Sequence, residues 1–543
     1  MNIKRDDMSM KNACRLKKLA LLVLGAFVFA TPFMTKNLVF LPFVNAFCGI
    51  FGWCGLSTLF IHVFDFQKSL KRVSHSLFCF FFAFYFFVYS WFVNLYPLDF
   101  AGLGNAESAG VIIIALTAIP VLHAFLMTLC MLLGYAAARG MNNTFLRAIL
   151  VAFGYVLGEY VQSLGTFAFP WARLFVGQTA FPEVLQSAAL FGSYFITFIM
   201  VLVNALIAFS LLNIRSDIKK SRIYALVALC VFAANIVFGI VRIGLCDYSG
   251  MEEMRVLVLQ GNIPSSEKWT GNIDEEEIYR DLAESYNGGN VDIAVMPETA
   301  FPVTLYTHDG FKSSAERTLS EIAKILDAEL FTGAFGYQDG NSYNSIFVYD
   351  KNGPVSGPYN KRNIVPFGEF LPYRNLIEKL VPSLAGINML SDDIARGENF
   401  APLETKSGRA ACLVCFDSIF PETARKQIKN GGEFIVIATN DSWYKTSAAI
   451  YQHSDHAIMR AIENNVPVIR CANTGISRII DSCGRVVGKT GVNKRTVLEG
   501  KVYLANQKSL YTEIGDIIVL FGAVLILLCL IFDAFKGKKS PRM

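Results

Sequence analysis

Eight apolar runs, each long enough to cross a lipid bilayer, most limit what this chain can fold into. They cover roughly residues 19–34, 38–64, 76–97, 107–137, 145–165, 184–212, 221–245 and 514–536. Unpaired backbone groups are costly in lipid, so each run is predicted to be a transmembrane helix. The first run could instead be a cleavable signal peptide, but the second begins within a few residues, which favours a helical hairpin.

Basic residues fall in alternate loops, as the positive-inside rule requires of cytoplasmic segments. They occupy the N-terminus, three loops and the C-terminal tail, as Lys68, Lys71 and Arg72, then Arg139 and Arg147, then Arg215, Lys219, Lys220 and Arg222, and finally Lys536, Lys538, Lys539 and Arg542. Both termini are therefore expected to be cytoplasmic, with the long insert after the seventh helix outside. In a bacterium with two membranes, an inner-membrane protein of this topology has its insert in the periplasm. The net charge of only +5 gives no indication of nucleic-acid binding.

The insert, residues 251–510, has a different composition from the helices at 1–250 and from the eighth helix and tail at 511–543. Short β-branched runs alternate with helical patterns, which predicts one α/β domain. Expected strands are 255–260, 291–296, 411–415, 434–438 and 466–470. Expected helices are 274–286, with Asp274 as N-cap, 314–328, 421–430 and 452–464.

Three polar residues follow or border these predicted strands. Cys415 ends an apolar run and precedes Asp417, so a rigid strand could present its thiol as a nucleophile, although a lone cysteine is more often a buried apolar residue. Glu298 lies between Pro297 and Pro302 and could act as a general base, or serve only as a loop carboxylate. Lys361 could stabilise an oxyanion, or be an ordinary surface lysine.

The order of these residues resembles the carbon-nitrogen hydrolase (nitrilase) superfamily, which uses a Glu-Lys-Cys triad on an αββα sandwich. The signatures are Pro297-Glu298-Thr-Ala-Phe-Pro302, Lys361 with Val365-Pro-Phe-Gly-Glu369, and Asn440-Asp-Ser-Trp443 followed by Gln452-His453. With helices before and after the insert, and Phe169-Pro-Trp171 in the helical part, the whole chain resembles the apolipoprotein N-acyltransferase family.

This resemblance implies an acyl transfer in two steps through a cysteine thioester. Glu298 would deprotonate Cys415, which attacks a phospholipid ester, while Lys361 and backbone N–H groups near Phe416 stabilise the oxyanion. The amino group of a diacylglyceryl-cysteine on an apolipoprotein would then accept the acyl chain. Glu369 would orient Lys361. No cofactor or metal is expected, and the protein is expected to be a monomer.

Two departures from the family pattern follow the predicted nucleophile and a tryptophan. The family usually has Tyr-Glu after its cysteine, whereas this chain has Phe416-Asp417, which removes a hydroxyl and shortens the carboxylate arm. This affects the support of the nucleophile and not its identity. After Trp443, the chain has Tyr444-Lys445 where the family tends toward an aromatic residue and glycine.

Several further residues have two interpretations each. Trp171, Trp269, Trp443 and Asn440 are candidates for substrate binding, while the tryptophans could equally be core packing. The stretch 371–396 is expected to form a flap over the site. His453 and His456 could share a helix face as metal ligands, but a structural role is favoured.

The cysteines also leave alternatives open. Cys412 and Cys415 form a C-x-x-C pair, but residues three apart on a strand should point to opposite faces, so neither a redox pair nor half a zinc site is expected. A Cys471–Cys483 disulfide is possible outside the cytoplasm.

Two other functions compete with acyl transfer. A membrane-tethered amidase would use the same triad but let water resolve the acyl-enzyme; a bundle of eight helices argues against it, because one helix suffices as an anchor. A non-catalytic lipoprotein-binding module would not need the intact triad.

Overall fold

The first part of the chain is a bundle of helices. The computed structural model describes residues 2–38, 42–98, 103–268, 271–306, 313–380, 393–504 and 507–538. The helices of this part are α1 (Asn2–Met34), α2 (Pro42–Cys54), α3 (Ser57–Val63), α4 (Leu70–Val88), α5 (Asn105–Arg139), α6 (Thr144–Val161), α7 (Ala188–Phe191), α8 (Ser193–Asn213) and α9 (Ile218–Gly244).

The described residues contain eight helical spans that are long and apolar enough to cross a membrane, which confirms the predicted number. The second span combines α2 and α3, and the eighth is α17 (Ile517–Lys538) near the C-terminus. The sixth begins later than predicted, at Ser193 instead of residue 184. Gly192 interrupts the helical path there with a φ of +76°, a conformation that glycine adopts without steric cost, while the ring of Tyr511 packs against it.

The second part of the chain alternates strands with helices. Its elements are β1 (Glu253–Gln260), α10 (Ser265–Lys268), α11 (Glu275–Glu284), β2 (Ile293–Val295), β3 (Thr304–Tyr306), α12 (Ser314–Leu326), β4 (Glu329–Gln338), β5 (Asn341–Asp350), β6 (Gly353–Asn360), α13 (Arg374–Leu380), β7 (Leu403–Thr405), β8 (Gly408–Val414), α14 (Pro421–Lys429), β9 (Phe434–Thr439), α15 (Ala448–Asn464), β10 (Val468–Ala472), β11 (Arg478–Ile480), β12 (Val486–Lys489), β13 (Thr496–Tyr503) and α16 (Leu510–Ile514). All five predicted strands and four predicted helices are present, with shifted ends.

The strands form two sheets that pack face to face. One has the order β13-β1-β2-β4-β5-β6, with β3 beside β4, and the other has the order β12-β11-β10-β9-β8-β7. The central strands of each sheet are parallel and buried on both faces, as their continuous apolar sequences require. A shared core between the sheets contains residues such as Val258 and Val436. Helices α11 and α12 cover the outer face of the first sheet, and α14 and α15 that of the second. The predicted αββα sandwich is confirmed.

The second sheet's helices rest on the helical bundle. Met459 of α15 and Ala424 of α14 belong to the same apolar core as the bundle residues. A buried ion pair also crosses this boundary, because Lys36 Nζ lies 2.6 Å from Asp455 Oδ2 on α15. Taking charges out of water requires such pairing. The α/β part is therefore seated on the membrane part.

A disulfide joins the two parts, but not the one considered from the sequence. Cys483 is bonded to Cys246, just past the end of α9, whereas Cys471 is a free thiol buried in the core between the sheets. The Cys471–Cys483 pairing is wrong. Cys471 is on β10 with its side chain directed between the sheets, while Cys483 is in the turn after β11, next to the bundle.

Candidate active site

Cys415 begins a tight turn at the end of an inner strand. Strand β8 ends at Val414, and Cys415 starts the 3₁₀ turn Cys415–Ile419 with a φ of +49°. Burial and then the charge of Glu298 raise the pKa of the thiol, and the charge of Lys361 opposes them without overcoming them. The thiol is therefore protonated at neutral pH, so it needs a base to become a nucleophile.

Lys361 follows β6 and is almost fully buried. Its Nζ lies 2.8 Å from Glu369 Oε1 and 3.5 Å from Glu298 Oε1. Burial alone would lower the pKa of Lys361, but Glu369 and Glu298 outweigh it and raise that pKa above its usual range. The Lys361 side chain therefore stays protonated. Its ammonium group is held in place because the two carboxylates contact it from different elements.

Glu298 follows β2 and is held at both carboxylate oxygens. Asn344 donates to Oε1 at 2.7 Å, and the backbone N–H of Asn440 donates to Oε2 at 2.9 Å. Gly333 on β4 packs beneath this turn so closely that a Cβ there would lie 2.5 Å from the Glu298 Cα. Only glycine allows that approach. The carboxylate is thus fixed beside the Lys361 ammonium, and its charge acts on the Cys415 thiol.

Asp417 connects the turn at Cys415 to the loop that carries Lys361. Its carboxylate accepts hydrogen bonds from the Tyr359 hydroxyl at 2.9 Å and from the backbone N–H of Asn363 at 2.7 Å. These two donors flank Lys361 in sequence. The shorter carboxylate therefore still holds the loop that carries the lysine, while the Phe416 ring packs against Phe169 of the helical part.

Two family models match different parts of this chain. The model of the apolipoprotein N-acyltransferase N-terminal domain matches residues 37–206, and that of carbon-nitrogen hydrolases matches residues 255–510. An apolipoprotein N-acyltransferase of Geobacter metallireducens is 33% identical over 371 residues, which cover 66% of this chain and 69% of that relative. The chain belongs to the apolipoprotein N-acyltransferase family. It is a multi-pass membrane protein that contains the carbon-nitrogen hydrolase fold, and it is an acyltransferase.

Other relatives extend this result. An apolipoprotein N-acyltransferase of Rhodopseudomonas palustris is 29% identical over 475 residues, covering 84% of this chain and 85% of that relative. Among solved structures, a carbon-nitrogen hydrolase of Helicobacter pylori is 16% identical, with a TM-score of 0.34, and is matched over 51% of this chain and 93% of its own.

In this member of the apolipoprotein N-acyltransferase family, several contacts at the site were not foreseen. Asn344 bonds Glu369 as well as Glu298, and it lies on β5, a strand that the sequence analysis missed. Asp441, His453 and Arg470 form a buried cluster behind the turn at Cys415. Asp441 was visible as the second residue of the Asn440-Asp-Ser-Trp443 motif, and Arg470 as a charge within a predicted buried strand.

The expected opposite orientation of Cys412 and Cys415 is wrong. Both side chains border the core between the sheets, because the strand ends at Val414 and the chain turns at Cys415. Both are free thiols. His453 of the predicted histidine pair bonds Asp441, and the described ranges contain no group of three or more potential metal-binding side chains.

The substrate-binding candidates occupy different positions. Trp171 is fully buried and donates its indole N–H to Gln452, so it is packed in the interior of the protein. Trp443 lies half-buried in the turn Ser442–Tyr444, and Asn440 is at the site through its backbone N–H. Trp269 is outside the described residues, as is the part of the expected flap from 381 to 392.

Proposed function

We propose that this protein transfers an acyl chain from a phospholipid to the α-amino group of a diacylglyceryl-cysteine at the N-terminus of an apolipoprotein. The single observation that carries the proposal is the placement of the buried Cys415 thiol beside the Glu298 carboxylate and the Lys361 ammonium, in a chain of this family. The Glu-Lys-Cys triad, the thioester route and both substrates are parts of this proposal.

In the first step, Glu298 takes the proton of the Cys415 thiol while the sulfur attacks the carbonyl carbon of the phospholipid ester. The C–O bond to the glycerol oxygen then breaks, and that oxygen receives the proton from Glu298 and leaves as a lysophospholipid. The acyl chain remains as a thioester on Cys415. Lys361 stabilises the negative oxygen of the tetrahedral intermediate with a charge that Glu369 holds in place.

In the second step, the neutral α-amino group attacks the thioester carbonyl and gives a proton to Glu298. The C–S bond breaks, the new amide leaves, and the proton returns to the Cys415 sulfur. Burial of the site limits the access of bulk water to the thioester, because the cysteine residue is only 8% exposed.

We also propose that the α/β part, residues 251–510, lies in the periplasm and that both termini are cytoplasmic. Two observations support this orientation. The Cys246–Cys483 disulfide belongs in an oxidising compartment. The basic residues Lys68, Arg72 and Arg139 line one cavity at the bundle end where Gly140 packs against Asp533 of α17, whereas Lys36 marks the opposite end, which contacts the α/β part.

A reporter fusion tests the orientation. We expect alkaline phosphatase fused after Ser509 to be active, because that enzyme needs an oxidising compartment to form its disulfides. The same reporter fused after Arg215, in a basic loop, should be inactive and serves as the matched control. Activity from the Arg215 fusion together with an inactive Ser509 fusion would reverse the proposed topology.

A direct assay separates acyl transfer from the alternatives. Purified protein in detergent micelles with phosphatidylethanolamine and phosphatidylglycerol is mixed with a synthetic diacylated lipopeptide, and both protein and peptide are followed by mass spectrometry. We expect an acyl-enzyme without the peptide, and loss of that species with formation of N-acyl peptide when the peptide is added. Release of free fatty acid at the same rate with and without peptide would indicate an amidase-type hydrolase. Peptide binding with neither product would indicate a binding module.

A further inference from the structure

A short segment of the helical part, Phe169–Trp171, contacts residues that support the turn Cys415–Ile419, the nucleophile turn. Phe169 stacks on Phe416, with ring centroids 5.9 Å apart and an interplanar angle of 22°. Trp171 stacks on His453 of α15 at 5.5 Å and 20°, and its indole N–H donates to Gln452 Oε1 at 2.6 Å. The rings of Phe169 and Trp171 also stack on each other. Two residues of the membrane part therefore contact residues next to Cys415 in sequence, in the case of Phe416, or in space, in the case of His453.

His453 contacts the backbone of the nucleophile. Its Nε2 lies 3.2 Å from the carbonyl oxygen of Cys415, and the same oxygen accepts a hydrogen bond from the Ser418 hydroxyl at 2.7 Å. Its Nδ1 lies 2.8 Å from Asp441 Oδ1, and Asp441 Oδ2 accepts from Arg470 at 2.8 Å. The side chains of Ser418, His453, Asp441 and Arg470 are all fully buried. A carboxylate at one ring nitrogen fixes the orientation of the other, so His453 faces the Cys415 carbonyl.

The backbone of Cys415 needs this support. Its φ of +49° lies in the left-handed region, which is strained for a non-glycine residue and persists only where the surroundings enforce it. The hydrogen bond donated by the Ser418 hydroxyl and the contact of His453 Nε2 with the carbonyl oxygen fix the peptide plane after Cys415. Because that plane and φ determine the direction of the Cα–Cβ bond, they also place the thiol relative to Glu298 and Lys361.

We infer that the segment Phe169–Trp171 of the membrane part, acting through His453 and Phe416, positions Cys415 for attack, so that the active site is complete only when the helical bundle is in place. Phe169, Trp171, His453 and Asp441 are positioning residues in this inference, because they act on the nucleophile through its turn. The inference rests on the proposed function, since it assigns Cys415 as the nucleophile.

The test compares two buried tryptophans of the bundle. Trp171→Leu removes the ring on His453. Trp53→Leu removes a ring that is also buried, and whose N–H also donates to a glutamine Oε1, that of Gln178 at 2.8 Å, within the bundle. Acyl-enzyme formation is measured by rapid quench in micelles of equimolar phosphatidylethanolamine and phosphatidylglycerol. We expect Trp171→Leu to lower the acylation rate at saturating phospholipid about a hundredfold with an unchanged half-saturating concentration, because misplacement affects attack and not lipid binding.

Conservative variants distinguish positioning from general destabilisation. Trp171→Phe keeps a stacking ring and should retain most of the rate. His453→Gln keeps a polar side chain whose amide N–H can donate to the Cys415 carbonyl, so its rate should exceed that of His453→Leu. If Trp171→Leu does not fold, the comparison of the two histidine variants still tests the inference. A parental rate in Trp171→Leu, an equal loss in Trp53→Leu, or identical rates in His453→Gln and His453→Leu would overturn the inference.

The parent protein and Cys415→Ala are run in the same experiment. Absence of thioester in the parent, or thioester formed by Cys415→Ala, would refute the proposed function itself. Thioester in the parent, none in Cys415→Ala and a parental rate in Trp171→Leu would refute only the positioning role of the membrane segment.

Discussion

Cys415→Ala is expected to abolish both the acyl-enzyme and the N-acylated lipopeptide, with a fall in rate of roughly 10⁴-fold or more. The physical reason is that alanine has no atom that can form the thioester bond, while Glu298 and Lys361 keep their mutual contact. The variant should fold, because the side chain loses a single buried sulfur and the hydrogen bonds of the turn involve the backbone of residue 415. Intact-mass spectrometry after incubation with phospholipid checks the acyl-enzyme, and lipopeptide mass checks the product.

Cys412→Ala is the matched control. Cys412 is a free thiol three residues earlier, fully buried on β8, with a pKa that burial raises in the same way as that of Cys415. Its replacement removes one buried sulfur at a cost of about 1 kcal/mol of stability and should leave acyl transfer intact. Product from Cys415→Ala at the parental rate would remove the thioester mechanism, and loss confined to Cys412→Ala would move the nucleophile to the other cysteine.

The sequence was sufficient to find the residues of the candidate site that follow strands. Each of Glu298, Lys361 and Cys415 lies just past a strand, and two of those strands, β2 and β8, are short apolar runs that sequence patterns detect. The eight membrane spans were predictable for the same reason, because their apolar length has one physical explanation. The order of the three residues along the chain and the family resemblance then indicated that they belong to one site.

Contacts between distant segments could not be predicted in this way. Glu298 is held by Asn440, which is 142 positions away, and Trp171 meets Gln452 across 281 positions. Such pairings depend on how the sheets and the bundle pack, which no local pattern encodes. The partner of Cys483 was misassigned for the same reason: the pairing considered was near in sequence, whereas the bond reaches back to Cys246 at the end of α9. Strand β5, which carries Asn344, was missed among polar residues at its start.

Glu298→Gln is expected to lower the acylation rate about 10²–10⁴-fold while making the Cys415 thiol easier to ionise. The sign follows from the charges at the sulfur: the Glu298 carboxylate raises the pKa of the thiol, so its removal lowers that pKa. More thiolate with less activity is the signature of a lost general base, because a thiolate alone would attack faster. The thiol pKa is measured from the pH dependence of iodoacetamide labelling, followed at the peptide that contains Cys415 so that the other free cysteines do not interfere.

Lys361→Met is the companion variant, because its effect on the thiol should have the opposite sign. The ammonium lowers the pKa of Cys415, so its removal should push the labelling profile to higher pH than in the parent, while acylation is also lost. Simple loosening of the site would expose the thiol and move both profiles toward lower pH, since burial is the largest cause of the raised pKa. Shifts in opposite directions therefore require that both charges act directly on the sulfur. A Glu298→Gln variant that acylates at the parental rate would contradict the assignment of Glu298 as the base, and a downward shift in Lys361→Met would contradict the assignment of Lys361 as the charge that faces the thiol.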